Sequence, residues 1–254
     1  MARNLNAIKK RISSIKSTQK ITNAMRLVSM SKLQQYKKLQ DELAPYFREV
    51  AKKSGRYGKN QDTDKRLLYI VFAPDLGLVS AYTNGLLRYI KDLPKGDFIW
   101  IGSQGYDVAQ KRGLHVKNKR MSSEQINLDR FIEDTNESLL TYEINLIIPS
   151  YGGSMSLSFS IEQLNVYLDR EDEVVYYPSF SEAENRFREV VMTAMIYFAY
   201  YASKYSEYTT RRIAMEAATK NADDMIDDLQ LKYNRARQEA ITQEISELIS
   251  GMEA

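Results

Sequence analysis

The 254 residues contain no cysteine, which excludes disulfides, thiolate metal sites and cysteine nucleophiles and fits a reducing compartment. Histidine occurs once, at His115, so no second imidazole or thiolate is at hand to complete a metal site or a catalytic triad. No apolar run approaches the roughly 20 residues that span a bilayer, and no signal peptide is visible. The chain therefore reads as soluble, a reading compatible with a place on a membrane complex. The net charge is only +3, so global charge carries no argument for nucleic acid. A chain of this length is long enough for one or two domains with a real core.

Glycine and proline are missing from two long stretches. Residues 181–250 contain neither. Pro178 precedes them, Ser181 with Glu184 fits a capping box, and Gly251 supplies an expected stop. At 1.5 Å per residue one unbroken helix here would measure about 100 Å, against a radius of gyration near 13 Å for a domain of about 100 residues. Such a helix cannot be packed inside its own domain. It must project as a rod, and a rod needs a partner along its length.

Steps of three and four from Phe198 pass through Tyr201, Tyr205, Tyr208, Arg212, Met215 and Thr219. They continue through Ala222, Ile226, Leu229, Tyr233, Ala236 and Ala240. Only Arg212 and Thr219 interrupt this apolar seam, which predicts a left-handed coiled coil. A long helix in an ordinary bundle is the alternative.

Residues 1–44 also lack glycine and proline, and Pro45 is the expected end. Ten lysines and arginines precede the first acid, Asp41. That composition suits a transit peptide or a nucleic-acid arm. The apolar positions argue instead for an amphipathic helix. Leu5, Ile8, Ile12 and Ile15 form one stripe, which Ile21, Met25, Val28, Tyr36, Leu39 and Leu43 continue after a change of phase. The C-terminal arm carries the complementary acids, among them Glu216, Asp223, Asp224, Asp227 and Asp228. Each exposed charge pair is worth only about 0–1 kcal/mol, so the apolar seam stabilises the pair of helices and the charges set orientation.

All five prolines and all but one of the glycines lie between the arms. Strands are predicted at 67–73, 97–101, 115–117, 142–148, 155–161 and 173–177. Helices are predicted from the turn after Gly77 to about 93, over 102–112 with a stop at Gly113, and over 121–140, with a turn at 152–153. Strands alternating with helices give a mainly parallel sheet, closed by an antiparallel hairpin. The expected fold class is α/β. It joins a long antiparallel coiled coil of N- and C-terminal helices (1–58 and 179–254) to a small, mainly parallel-sheet α/β domain (59–178).

Candidate chemistry is sparse. Gly102-Ser103-Gln104-Gly105 lies where a phosphate-binding turn would lie, but a full G-x-G-x-x-G is absent, and a tight strand-to-helix turn explains it. Asp75 follows a strand, an address for a catalytic carboxylate and equally for a helix N-cap. The four aspartates at 223, 224, 227 and 228 share a helix face that suits a cation or plain solvation. The tyrosine stripe at 197–208 suits packing, because no basic residues are interleaved for base stacking. No catalytic residue, metal or cofactor is expected.

One resemblance is specific. Residues 212–222 (RIAMEAATKNA), 231–238 (LKYNRARQ) and 240–245 (AITQEI) closely resemble the gamma subunit of F-type ATP synthases. Residues 8–11 (IKKR), 18–25 (TQKITNAM) and 28–33 (VSMSKL) match that family's other signature, in the right order. Between the arms only Asp75-Leu76-Gly77-Leu78 and Tyr82-Thr83-Asn84 match. The start of the signature within ten residues argues against a transit peptide.

The resemblance implies a central rotor shaft that is not itself an enzyme. Its coiled coil would enter a ring of alternating alpha and beta subunits, with epsilon and a c ring below. It would be a peripheral protein on the cytoplasmic face of the cell membrane, in a proton-translocating complex. Rotation of an asymmetric shaft would bias each beta subunit in turn among states of different nucleotide affinity. The family's coupling positions carry over to Met25, Arg212, Gln238, Thr242 and Glu244, with Arg235 and Arg237 as further basic positions. The chain departs from the family at Leu76, Val79 and Ser80, at Tyr208-Thr209-Thr210, and in a shortened globular domain. That shortening leaves open a second expectation, the shaft of a specialised F-type-like ATPase whose c-ring partner is altered or absent.

Overall fold

The computed structural model describes residues 2–54, 65–139, 141–152, 156–164 and 175–252. Two helices dominate, α1 (Ala2–Ser54) and α5 (Phe180–Met252). Between them lie β1 (Arg66–Phe72), α2 (Ser80–Lys91), β2 (Asp97–Ile101), α3 (Tyr106–Lys111) and β3 (His115–Val116). They are followed by α4 (Leu128–Ser138), β4 (Tyr142–Tyr151) and β5 (Leu157–Gln163). The chain forms two compact units, residues 31–210 and residues 1–30 with 211–254, and both long helices contribute to each.

Residues 31–210 are built on a five-stranded sheet in the order β3-β2-β1-β4-β5. β1 pairs in parallel with β2 (Leu68 with Asp97) and with β4 (Arg66 with Tyr142), and β3 extends the parallel part. β5 closes the other edge antiparallel to β4, with Ile147 opposite Ile161. β1 is apolar from Leu67 to Phe72 because both of its faces are covered. Leu68, Ile70 and Phe72 face Val191, Met192, Ile196 and Ala199 of α5, together with Ile132 of α4. Tyr69 and Val71 face Tyr82, Leu86 and Ile90 of α2, with Trp100 on the same side. Burying one such side chain stabilises the fold by about 1.5–3 kcal/mol, so the first of these faces is what joins α5 to the sheet.

Residues 1–30 and 211–254 form the antiparallel helix pair. The Gln19 amide donates to the Asp223 carboxylate, and the Thr22 and Thr219 hydroxyls meet at 2.9 Å, so one helix runs up as the other runs down. On α5 the seam from Arg212 to Ala240 is withheld from solvent at every predicted position.

On α1 the predicted stripe needs correction. The protected positions continue in phase from Ile15 through Gln19, Thr22, Arg26 and Ser29, with no shift. Ile21 and Val28 are 60% and 61% exposed, and Met25 also faces out. A strict three-four repeat keeps one line of contact on a supercoiled partner, and here polar side chains occupy that line. They meet small or polar neighbours: Thr219 also donates to the Met215 carbonyl at 2.8 Å, and Ser29 to the Met25 carbonyl at 2.7 Å.

Other boundaries differ for local reasons. α1 passes through Pro45 to Ser54. Proline removes the bond that would reach the Asp41 carbonyl, but Asp41 and Pro45 are both exposed, so water satisfies that carbonyl. α5 begins two residues before the expected capping box. Ser179 accepts from the Glu182 N–H at 3.3 Å, while Glu184 pairs with Arg188 at 3.9 Å. Its end is not at Gly251, which is helical.

Residues 121–127 are not helical. Ser123 is held by Asp75, and Asn127 caps α4 by accepting from the Arg130 N–H at 3.1 Å. α3 starts at Tyr106, not 102. Residues 175–177 form no strand, and 140, 153, 155 and 173–174, where other predicted elements fell, lie outside the described residues.

Candidate functional site

The seven residues singled out in the sequence all lie on the helix pair formed by residues 1–30 and 211–254. Arg212 occupies a seam position, is half-buried, and donates to Glu216 at 3.1 Å. Its charge is thus carried sideways to an exposed acid, which lets a cation occupy an otherwise apolar line. Met25 is outside the seam, 36% exposed. Arg235, Arg237, Gln238, Thr242 and Glu244 are all exposed.

The end of α5 brings some of these together. Arg235, Gln238 and Thr242, with Glu239, Gln243 and Ser246, line a shallow polar groove. Their spacing of three, four and seven places them on one helix face. The Thr242 hydroxyl donates to the Gln238 carbonyl at 3.0 Å. Arg237 and Glu244, seven residues apart, lie off this face.

That second face is apolar where a helix pair in water would carry charge. Ile241, Ile245, Leu248, Ile249 and Met252 are between 48% and 87% exposed, and follow one another at helical spacing. On α1, Ile21, Met25 and Val28 form a comparable exposed stripe. Contiguous exposed apolar surface marks an interaction surface. Sequence reading placed the α1 stripe in the seam. The phase change at residue 21 was the signal that a second face begins there.

A separate cluster lies in the unit formed by residues 31–210, where the turn after β1 meets α5. Lys204 Nζ lies 2.9 Å from Asp75 and 3.5 Å from Glu207, and all three side chains are at most 7% exposed. Asp75 also accepts from the Ser103 N–H at 3.1 Å and from the Ser123 N–H and hydroxyl. Burial pushes the Asp75 carboxyl up, but its Ser123 and Lys204 bonds outweigh that and hold it at about 2. Burial likewise lowers the Lys204 ammonium, and the Glu207 and Asp75 charges raise it above its ordinary value. Beside them Ser203 donates to the Phe72 carbonyl at 2.7 Å, and the Tyr82 hydroxyl donates to the same oxygen at 3.0 Å.

This cluster is a joint between helix and sheet. Asp75 is neither a free catalytic carboxylate nor a cap, since the N-cap position of α2 is Val79, with no side-chain cap bond. It also rules out the phosphate turn. The Ser103 N–H is taken by Asp75 and the Gln104 N–H by the Pro74 carbonyl at 2.8 Å. Lys204 and Glu207 were missed in the sequence. Their only sign was two charged residues inside an apolar helix stretch.

The other candidates carry little. Among the described residues no group of three or more acids or histidines is placed to hold a metal. Asp228 pairs with Lys232 at 2.7 Å. Tyr208 and Tyr201 pack on Tyr36 at ring distances of 5.6 and 6.3 Å. Among the described residues no helix is long and apolar enough to cross a membrane.

Comparison with known proteins agrees with the geometry. A family model described as ATP synthase matches residues 4–254. The ATP synthase gamma chain of Mycoplasmopsis synoviae is 31% identical, covering 99% of both chains. The sodium ion specific ATP synthase gamma chain of Acetobacterium woodii is 30% identical, covering 100% of this chain and 99% of its own. Those alignments run over 296 and 302 positions, more than the 254 residues here, so both relatives carry insertions that this chain lacks. Among solved structures, a chain of the Euglena gracilis mitochondrial ATP synthase superposes with a TM-score of 0.71 at 17% identity, covering 100% of this chain and 95% of its own.

Proposed function

The chain belongs to the ATP synthase gamma family, and from that premise we infer that it is the central rotor shaft of an F-type ATP synthase. The observation that carries the reading is the exposed apolar surface on both arms of the helix pair. A two-stranded coiled coil has no use for Ile21, Val28, Ile245 and Leu248 in water, and a ring of surrounding subunits does.

In this reading the shaft does no chemistry. It offers different faces to the alpha and beta subunits as it turns. Each beta subunit then meets the apolar stripe, the polar groove or a charged edge in succession, and a difference in contact free energy is all that is needed to shift its nucleotide affinity. Met25 and the exposed Ile21 and Val28 form the α1 contact. Gln238, Thr242 and Arg235 form one contact on α5, and Arg237 and Glu244 flank the other. Arg212 and its Glu216 partner sit lower on the seam as a polar contact.

The joint at Asp75, Lys204 and Glu207 supports the transmission of torque, because it ties α5 to the sheet through buried charges that cannot slide. We divide the chain by role into residues 1–58, 59–178 and 179–254. The middle part is proposed to meet epsilon and the c ring. The complex would place the chain on the cytoplasmic face of the cell membrane and couple it to proton flow. An affinity-tagged chain recovered from native membranes, with partners identified by mass spectrometry, tests the reading. Alpha, beta, epsilon and c subunits are expected, and recovery without alpha and beta refutes it. Hydrolysis by the purified complex measured with and without sodium ions tests the coupling ion, and sodium dependence would overturn the proton assignment.

A further inference from the structure

The unit formed by residues 31–210 holds a cavity of about 830 Å³ apart from the Asp75 joint. It lies where α2 and α3 end and where β2 and β3 begin, and so at the opposite end of the strands from Asp75. Its floor is Leu87, Ile90 and Phe98, each 3% exposed, and Leu93 and Leu114 form the sides. The volume falls within the roughly 300–1,000 Å³ of small-molecule sites.

The rim has one sign. Lys91, Lys95 and Arg112 line it with His115, and no aspartate or glutamate does. None of the three cations makes an ion pair or a side-chain hydrogen bond among the described residues. Two acids lie next to lining residues in sequence: Asp92 is exposed, and Asp97 is held by His115 Nδ1 of the rim at 2.6 Å, the Tyr142 hydroxyl at 3.1 Å and Lys117 at 4.0 Å. Cations at helix C-termini offset the helix dipole, which accounts for Lys91 and Arg112. It does not account for Lys95, which lies in the connection between α2 and β2.

We propose that this cavity binds a small amphiphilic anion, one acidic head on an apolar chain. The apolar floor has no use for a bare inorganic anion. The unpaired cations give no preference to a neutral hydrocarbon. A molecule with both parts satisfies floor and rim together.

Dodecanoate, titrated below its aggregation concentration into the full-length chain by isothermal calorimetry, is the probe. Saturation at one molecule per chain is expected. Inorganic phosphate should not compete, and dodecanol should bind more weakly by about two- to thirtyfold, the worth of two exposed charge contacts. The double variant Lys95→Ser, Arg112→Ser alters only exposed side chains and should weaken dodecanoate by a similar factor, with the thermal transition unchanged. Leu114→Trp should intrude on the apolar side of the cavity and weaken binding. Uptake without saturation, equal affinity for phosphate, or indifference to the double variant would each overturn the proposal.

Discussion

Replacing Lys204 by methionine keeps the length of the side chain and removes its charge from a site that is 2% exposed. Asp75 and Glu207 are then left as buried carboxylates without their shared cation. Breaking a buried ion pair from one side costs about 3–5 kcal/mol. For a chain of this size that lowers the melting temperature by about 10 °C.

The pH dependence is the sharper test. In the native chain Asp75 is held at about 2 against an ordinary 3.8. A carboxyl depressed on folding adds stability that is present above the unfolded value and lost as the pH falls from about 4 to about 2. Here that amounts to about 2 kcal/mol. In Lys204→Met the cation no longer holds Asp75 down, so its carboxyl rises. The penalty is then largest at pH 7 and shrinks toward pH 4, as protonation removes the buried charge. Titrating groups that do not face Lys204 are common to both chains and cancel in the difference.

The assay is urea unfolding of the full chain at pH 7, 5.5 and 4, read by the fluorescence of the sole tryptophan, Trp100. That residue is fully buried in the same unit. A penalty below about 1 kcal/mol at pH 7, or one that stays constant down to pH 4, would refute the account of this joint.

Three other outcomes follow from the geometry. Gly102 has φ +125, and a Cβ there would lie 2.1 Å from the Ala73 carbonyl oxygen, so Gly102→Ala should cost at least the 1–3 kcal/mol or so of a strained backbone, read by the same unfolding assay. Ile245→Asp changes an exposed position and should leave the stability of the isolated chain within about 0.5 kcal/mol, while reducing ion pumping per ATP hydrolysed in the assembled complex. Truncation after Arg237 should keep the thermal transition of residues 31–210 and weaken coupling, and loss of that transition would contradict the division into units.

Much of this protein could be read in advance because the signals are local. β2 at Asp97–Ile101 was read to the residue, and β1 and β4 nearly so, because continuous apolar runs between turn residues have few other uses. The boundaries that moved are those where a side chain far away in sequence intervened. Ser123 is not helical because Asp75, 48 residues earlier, takes its N–H. The candidate contact residues on α5 were accessible as a motif, but the exposed stripe on α1 was not. Periodicity shows that two stripes exist on that helix and does not show which one meets a partner.

By itself the sequence determined the two long helices, their three-four seam on α5, the parallel α/β sheet and the family. These follow from residue propensity, side-chain period and the absence of glycine and proline from the arms. The tertiary structure alone decided that Gln19, Thr22, Arg26 and Ser29 turn inward while Ile21 and Val28 face out, because the line of contact with the second helix sets the phase. It alone joined Asp75 to Lys204 across 129 residues and gathered Lys91, Lys95 and Arg112 around one cavity. Charges so far apart in sequence are brought together only when the sheet and its covering helices have packed.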